Sequence, residues 1–334
     1  MLRKTALALT VLSATSLANA DVLTSIKPLG FIASAITDGV TQTQVLLPAS
    51  ASPHDYALKP SDVSKINQAD LVIWVGEDME AFLEKSLEGK LPKEKVLTLQ
   101  EVPALEELVE AAEEAHDHDD DHKHGHKHAH KHEHKHEHKH DHKHEHKHAH
   151  SHDHDHDHHG HSHDEDWHIW LSPQAAGIIA EQIADRLGQQ LPDQKAKIAD
   201  NLAQFKTALA AKNEEISQQL ASVKNKGYYT FHDAYGHFES AYGLKSLGSF
   251  TINPTVAPGA KTLDKIKRDI SKNQAACLFA EPQFTPKVIE SLSKNTKVGV
   301  GQLDPLGEKV ELGKNAYPEF LQGLANDFRA CLAK

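Results

Sequence analysis

The sequence predicts an α/β protein in which two β/α lobes, each built on a parallel sheet, are joined by a long helix. Short apolar, β-rich runs alternate with amphipathic helical patterns in residues 21–115 and again from residue 227 to the end. Helical periodicity fills the interval between the blocks, from Gln174 to about Lys224. Alternation of this kind is typical of parallel strands connected by helices.

The first block contains one fully apolar run, Leu71–Val75, which is typical of a strand buried on both faces. Pro60 indicates the start of an amphipathic helix, because proline is favoured at the first helical position. We expect strands at 22–26, 44–47, 71–75 and 96–99, and helices at 29–37, 60–68, 79–87 and 104–115.

The connecting helical stretch begins at Ser172-Pro173, where serine suits the N-cap and proline the first helical position. Leu191-Pro192 interrupts it once. In the second block we expect strands at 228–231, 247–251, 276–280 and 298–303, and helices near 234–242, 263–272, 286–294 and 318–332. The predicted units are therefore 21–172 (first lobe), 173–226 (helical segment) and 227–334 (second lobe).

Residues 1–20 predict a cleaved secretory signal. Arg3 and Lys4 form a basic start, Ala6–Leu12 is a short apolar region, and Ala18-Asn19-Ala20 is a small-residue cleavage site. The apolar region is too short for a transmembrane helix, and no later segment approaches the needed length. We expect an exported chain beginning near Asp21, the alternative being an N-terminal core helix.

The charge of the chain excludes some classes of partner, and its cysteines indicate a disulfide. The net charge of −12 argues against nucleic acid or an anionic membrane as the main partner. Cys277 and Cys331 are the two cysteines. In an exported chain we expect such a pair to form a structural disulfide, since its spacing fits neither a redox motif nor a zinc-thiolate motif.

A histidine-rich run extends from His116 to His163 and holds 24 of the 28 histidines. It lacks the large apolar residues of a packed core, while its imidazoles are ligands for Zn, Cu, Ni and Fe. Between 116 and 166, 14 acidic residues against 7 lysines add a background that favours cations. Below about pH 6.5, protonation would abolish ligation. We interpret the run as a surface-loop insertion, either an accessory, weaker metal collector or a tolerated low-complexity segment.

Three histidines outside the run, together with one aspartate, recur at similar intervals. His54 follows the strand predicted at 44–47, His168 precedes the helical stretch, and His232 and Asp304 each follow a predicted strand. After the 48-residue run is subtracted, the successive intervals are 66, 64 and 72 residues. Ligand sites of parallel sheets assemble at the carboxyl ends of strands, so we expect these side chains, two from each lobe, to meet in the interlobe cleft.

Three neutral imidazoles with water or one carboxylate suit tetrahedral Zn²⁺, whereas a more oxygen-rich set would favour Mn²⁺. The alternative is that these histidines are surface or hydrogen-bonded structural residues. Asp55 and Asp233 each follow one of them, and we expect these carboxylates to orient the imidazoles. His237 lies five residues after His232 on a predicted helix. We expect it to be a structural or surface residue, with a supporting contact to the site as the lesser alternative.

Five motifs then occur in chain order, namely ASPHDY with KPSD (51–56, 59–62), WHIWLSP (167–173), FHDAYG (231–236), AEPQ (280–283) and LDPLG (303–307). On these motifs the mature chain resembles the metal-binding solute-binding proteins, in particular the ZnuA-type zinc-binding proteins of high-affinity zinc ABC importers. The resemblance implies a rigid interlobe helix and a metal site in the interlobe cleft. It also implies zinc capture in the periplasm and delivery to an inner-membrane permease with a cytoplasmic ATPase.

The resemblance further implies particular roles for residues. His54, His168 and His232 are the expected zinc ligands, and Asp304 stands at a fourth position that some zinc members leave to water. Pro53 replaces a glutamate that other zinc members have before the first ligand, which leaves water or Asp304 for that position. A disulfide between the two cysteines is implied as well.

Two other functions compete with zinc import. A secreted zinc hydrolase would use an open coordination position to activate water, with Glu281 as general base. The chain lacks H-E-x-x-H and G-x-S-x-G, however. A periplasmic metal buffer or chaperone without a transporter is the third possibility. We favour the import component, and expect a monomer without enzymatic activity.

Overall fold

A computed structural model of the chain describes residues 21–117 and 165–334, apart from positions 253, 255, 285, 286 and 295. The predicted signal at 1–20 and the histidine-rich residues 118–163 lie outside the described residues. Among the described residues, no helix combines the length and apolar character required to cross a bilayer.

The first lobe is built on a four-stranded sheet in the order β2-β1-β3-β4, with all neighbours parallel. Leu71–Trp74 is buried throughout, as its apolar run predicts for an inner strand of a covered sheet. The elements are β1 (Val22–Thr24), α1 (Lys27–Ile36), β2 (Thr43–Val45), α2 (Pro60–Gln68), β3 (Leu71–Trp74), α3 (Glu77–Leu87), β4 (Val96–Thr98) and α4 (Pro103–Asp117).

The second lobe repeats this arrangement, with strand order β6-β5-β7-β8 and parallel pairing throughout. Its three longest strands have six residues each, against three or four in the first lobe. The elements are β5 (Gly227–His232), α7 (Gly236–Tyr242), β6 (Ser246–Thr251), α8 (Ala260–Ser271), β7 (Ala275–Ala280), α9 (Lys287–Ser293), β8 (Gly299–Gln302) and α10 (Ala316–Leu332).

Two helices lie between the lobes in the sequence, α5 (Pro173–Gln190) and α6 (Lys195–Leu220). The Ser172 hydroxyl accepts a hydrogen bond from the Ala175 amide at 3.1 Å, which caps α5 as the sequence predicts. The helical stretch breaks at Pro192, because proline removes a backbone donor and clashes with the preceding turn. The predicted α/β fold with two parallel sheets and a helical connection is confirmed.

One hydrophobic core runs through both lobes, while a second, smaller core lies under α8 and α9. The larger core joins Phe31 of α1 to Phe320 of α10, whose ring centroids are 5.5 Å apart. Gly307 lies against both rings with φ +64°, and a Cβ there would come within 2.8 Å of each of them. The turn after Asp304 therefore requires glycine at this point.

Cys277 of β7 and Cys331 of α10 form the expected disulfide. Most predicted elements agree with the structure within a few residues at their ends. Two ends differ most: the helical stretch expected to continue to about Lys224 ends at Leu220, and helix α8 begins three residues before the predicted Leu263. Ala260–Thr262 contains no core-facing apolar residue, so periodicity could not detect this first turn.

Candidate metal centre

The three histidines predicted as ligands come from three separate segments. His54 lies in the loop between β2 and α2, and His168 lies just before a 3₁₀ turn that leads into α5. His232 is the last residue of β5, at the carboxyl end of its strand. The parallel topology accounts for the position of His232, whereas irregular backbone carries the other two.

The three imidazoles converge on one point. The Nε2 atoms of His54 and His168 are 3.1 Å apart. One ring nitrogen from each of the three histidines lies within 4.8 Å of the others. Ligand nitrogens around a tetrahedral zinc, at bond lengths of about 2.0–2.1 Å, are about 3.3 Å from one another. The His54–His168 pair already matches this spacing, and the third imidazole has a nitrogen within 4.8 Å of the other two, so the cluster is close to that geometry.

Asp166 orients His168. Its Oδ1 accepts hydrogen bonds from Nδ1 of His168 at 2.7 Å and from the backbone amide of His168 at 3.0 Å. Burial would raise the pKa of Asp166, but the hydrogen bonds from His168 and the charges of His168 and His237 outweigh it and lower the pKa. The ionised carboxylate fixes the proton on Nδ1 and leaves Nε2 of His168 free as a metal ligand.

Glu281 does the same for His232. Its two carboxylate oxygens accept from Nδ1 of His232 at 2.7 and 2.8 Å. Glu281 is only 2 % exposed and His232 only 4 %, so the pair is shielded from solvent. Nε2 of His232 is therefore the atom left for a metal, as in His168.

The third imidazole, His54, is held in its neutral form. Burial, followed by repulsion from His168 and His232, lowers its pKa to about 3 against an opposing contribution from Asp166. A neutral imidazole is the form that binds a metal, so no proton competes for this ligand near pH 7.

Apolar side chains wall the cleft around the three rings. Its lining includes Pro53, Trp170, Phe284, Pro305 and Leu306. The ring of Trp170 lies edge-on to His168, with centroids 5.1 Å apart. Such a wall excludes water and strengthens electrostatic attraction between the ligands and a cation.

The structure does not bring Asp304 into the cluster of three imidazoles. Its Oδ1 accepts from the amides of Leu306 and Gly307 at 3.1 and 3.0 Å and from Nε2 of Gln283 at 3.2 Å. Its Oδ2 accepts from the amide of Glu308 at 2.6 Å. The carboxylate thus caps the turn that follows β8, and these donors occupy both of its oxygens.

The two carboxylates that hold the imidazoles differ from those that the sequence indicated. Asp55 and Asp233, expected in this role, are both exposed. The role belongs to Asp166 for His168 and to Glu281 for His232. Asp166 could have been found from the sequence, because an aspartate two residues before its partner favours local side-chain-to-backbone bonding. Glu281 could not, because only the pairing of β5 with β7 brings it beside His232.

His237 is buried, at 4 % exposure, and its Nε2 donates to the backbone carbonyl of Asp166 at 2.6 Å. It is thus a hydrogen-bonded structural residue, and its partner Asp166 in turn holds the ring of His168. The sequence allowed for this role without identifying its partner.

The chain is similar to proteins of a known family over almost its whole length. A sequence profile described as the periplasmic zinc-uptake complex component A, ZnuA, matches residues 22–331. This chain belongs to the ZnuA family. The high-affinity zinc uptake system protein ZnuA of Haemophilus ducreyi is 64% identical over 334 residues, covering all of both chains. The protein of that name from Haemophilus influenzae is 60% identical over 335 residues, covering 100% of this chain and 99% of its own.

Solved structures support the same fold for this member of the ZnuA family. A crystal structure of ZnuA matches with a TM-score of 0.70 at 21% identity, covering 94% of this chain and 99% of its own. The periplasmic zinc-binding protein TroA from Treponema pallidum matches with a TM-score of 0.67 at 17% identity, covering 95% and 100%. Identities this low carry the fold alone.

Proposed function

We propose that this chain is the periplasmic zinc-binding component of a high-affinity zinc importer. The observation that carries the proposal is the convergence of three imidazole nitrogens in a buried, apolar cleft. Membership of the ZnuA family supports zinc as the cargo. The relatives are named as high-affinity zinc uptake proteins, which supports a role in uptake for this chain as well.

His54, His168 and His232 are the proposed zinc ligands, each through Nε2. Water is the proposed fourth ligand, because the turn after β8 engages both carboxylate oxygens of Asp304. Tetrahedral coordination by three histidines and one exchangeable ligand combines tight binding with a route for release. Zinc is captured by reversible chelation, and no bond of a substrate is broken.

A zinc hydrolase with Glu281 as general base is less compatible with the site. A general base must have a free oxygen within reach of the attacking water. Both oxygens of Glu281 contact Nδ1 of His232, and the side chain is buried. The carboxylate therefore serves the ligand, and we propose that the chain has no catalytic activity.

The proposed partner is an inner-membrane ABC permease with its cytoplasmic ATPase, met in the periplasm by a monomer of this chain. The predicted signal at residues 1–20 supports export. We further propose that the histidine-rich run, through its high density of imidazoles, collects zinc at weaker sites and supplies the cleft.

Competition for zinc against a chelator of known affinity tests the ligand assignment in the full chain. Replacing His54, His168 and His232 together with alanine, with the run retained, is expected to abolish the single tightest site. A matched control replaces three histidines of the run, His130, His132 and His134, and is expected to leave that site intact. Undiminished tight binding in the first variant would refute the assignment.

Zinc uptake by cells that retain the permease and the ATPase but lack this chain tests the transport role. We expect the wild-type gene to restore growth in zinc-depleted medium and the triple-alanine variant to fail. Restoration by both would support a metal buffer, or a role separate from the cleft.

Deletion of residues 118–163 should lower the total zinc bound while the tightest site keeps its affinity. Unchanged total zinc would refute the role of the run as a collector.

A further inference from the structure

The segment that carries His168 belongs to the first lobe in sequence, yet residues of the second lobe hold it in place. Nε1 of Trp170 donates to the carbonyl of Pro305 at 2.9 Å. The Tyr317 hydroxyl, which has a single proton, lies 2.8 Å from the carbonyl of Trp170 and 3.2 Å from that of Ser172. These bonds fix the segment after the ligand, toward the start of α5.

On the other side of the ligand, one buried side chain makes the corresponding contact. His237, on α7 of the second lobe, reaches the backbone carbonyl of Asp166 at 2.6 Å. A carbonyl oxygen only accepts, so Nε2 of His237 carries the proton. Burial of an imidazole is unfavourable unless it is hydrogen-bonded, and this bond satisfies one nitrogen of a residue that is 4 % exposed.

Asp166 is therefore engaged at two places. Its backbone oxygen is held by His237, and its carboxylate holds His168 through both the ring Nδ1 and the backbone amide. The chain of contacts runs from α7, through one residue, to the orientation of a ligand imidazole. A shift of the Asp166 backbone would move its carboxylate and rotate the Nε2 of His168 away from the other two ligands.

We propose that His237 is a positioning residue for zinc, which pre-organises His168 by fixing Asp166 across the interface between the lobes. The inference rests on the proposed function, because it assigns the positioning of one of the proposed ligands. The residues that position the proposed ligands then include His237 in addition to the carboxylates Asp166 and Glu281. His237 lies on the second lobe, whereas His168 belongs to the first lobe in sequence.

Two variants of the full-length chain separate the hydrogen bond from the bulk of the side chain. His237→Leu removes the donor, whereas His237→Gln keeps an amide donor on a flexible side chain that can reach the same carbonyl. If the leucine variant does not fold, His237→Met serves as the donor-free variant, since methionine adapts to irregular space. Phe238→Leu is the matched control, because Phe238 is also buried on α7 but stacks on Phe328.

Zinc affinity by chelator competition, and the rate of zinc loss to excess chelator, are the first readouts. Loss of an outer contact of a metal ligand typically weakens binding about 10–100-fold, and we expect about tenfold for His237→Leu because it acts through Asp166. The glutamine variant should stay within about threefold of wild type. Phe238→Leu should lower the melting temperature and leave the affinity unchanged.

Hydrogen exchange of the zinc-free chain provides a readout that needs no metal. Amides of residues 165–172 should exchange faster in the leucine variant than in wild type or in the glutamine variant. Wild-type affinity in the leucine variant would overturn the proposal. So would an affinity loss in the glutamine variant equal to that in the leucine variant, or an equal loss in Phe238→Leu.

Failure of the proposed function looks different. In that case wild type would lack a tight zinc site, and His168→Ala would bind zinc as wild type does. If wild type binds tightly and His168→Ala does not, the proposed function stands. The His237 variants then test separately whether His237 positions His168.

Discussion

The two lobes share one strand order but hold the proposed metal ligands in different ways. In the second lobe, His232 ends β5, and its partner Glu281 directly follows the neighbouring strand β7. In the first lobe, His54 and His168 lie on irregular segments. Donors from the second lobe reach both of these segments, since Gln283 donates to the carbonyl of Ala49 at 3.2 Å and His237 donates to that of Asp166.

From this difference we infer that the second lobe positions the histidines of both lobes. A ligand at a strand end is positioned by the backbone hydrogen bonds of the sheet. A ligand on a loop needs further contacts to define its position, because a loop lacks the regular backbone hydrogen bonds of a sheet. The second lobe supplies these contacts, so the site depends on how the lobes pack against each other.

The largest expected effect is the loss of a ligand. Apparent binding free energies of structural zinc sites with four ligands are about 10–16 kcal/mol, so an even share for one ligand is roughly 2.5–4 kcal/mol. His168→Ala and His232→Ala should each weaken the tight site several hundred-fold in chelator competition. If either variant retained wild-type affinity, the contribution of its lobe to the site would be disproved.

The disulfide tests whether stability of the second lobe and zinc affinity are separable. Replacing Cys277 and Cys331 together with serine should lower the free energy of unfolding by about 2–4 kcal/mol, measured by urea denaturation. Zinc affinity should change little, because the disulfide ties β7 to α10 and makes no contact with a ligand. An accompanying loss of zinc affinity would show that the second lobe needs this disulfide to position the histidines.

The carboxylates test how the ligands are oriented. Glu281→Gln and Asp166→Asn should each weaken zinc binding about 10–100-fold, because the amide is a poorer acceptor for the imidazole Nδ1–H. Glu239→Gln is the matched control, since this buried carboxylate of the second lobe accepts from the Tyr228 hydroxyl at 2.9 Å. Equal affinity loss in all three variants would indicate a general effect of replacing a carboxyl by an amide.

The smallest expected effect concerns pH and His54. In the folded chain its pKa is lowered to about 3, whereas in the unfolded chain it is about 6.5. Below pH 6.5 the unfolded state therefore takes up a proton that the folded state excludes, and folding loses stability. Between pH 6.5 and 5.0 wild type should lose up to about 2 kcal/mol relative to His54→Gln.

Urea denaturation of both zinc-free chains at pH 7.5 and pH 5.0 checks this difference. The buried carboxyls Glu80 and Glu239, whose pKa is raised to about 7 by burial, act in the opposite direction. The contributions of Glu80, Glu239 and the histidine-rich run to the pH dependence cancel, because wild type and His54→Gln both contain them. An unchanged difference between the two pH values would contradict a neutral His54.

Much of the fold was predictable from the sequence. The apolar strands and the Ser172-Pro173 helix start are local signals, and parallel β/α alternation sets the topology. The three histidines were found because their intervals become even once the run is subtracted. The sequence could not identify His232 as the partner of Glu281 or Asp166 as the partner of His237, because these partners are distant along the chain. Asp304 or water was expected at the fourth position, and the sequence could not show that the turn after β8 engages the Asp304 carboxylate, because this depends on backbone conformation.

The most direct test of zinc binding by the three imidazoles of the cleft is a crystal structure of the full-length chain loaded with one equivalent of zinc, with anomalous scattering recorded at the zinc edge. We expect one strong anomalous peak about 2.0–2.1 Å from the Nε2 atoms of His54, His168 and His232, with water as the fourth ligand. No peak in the cleft, or the single ion bound elsewhere, would contradict it.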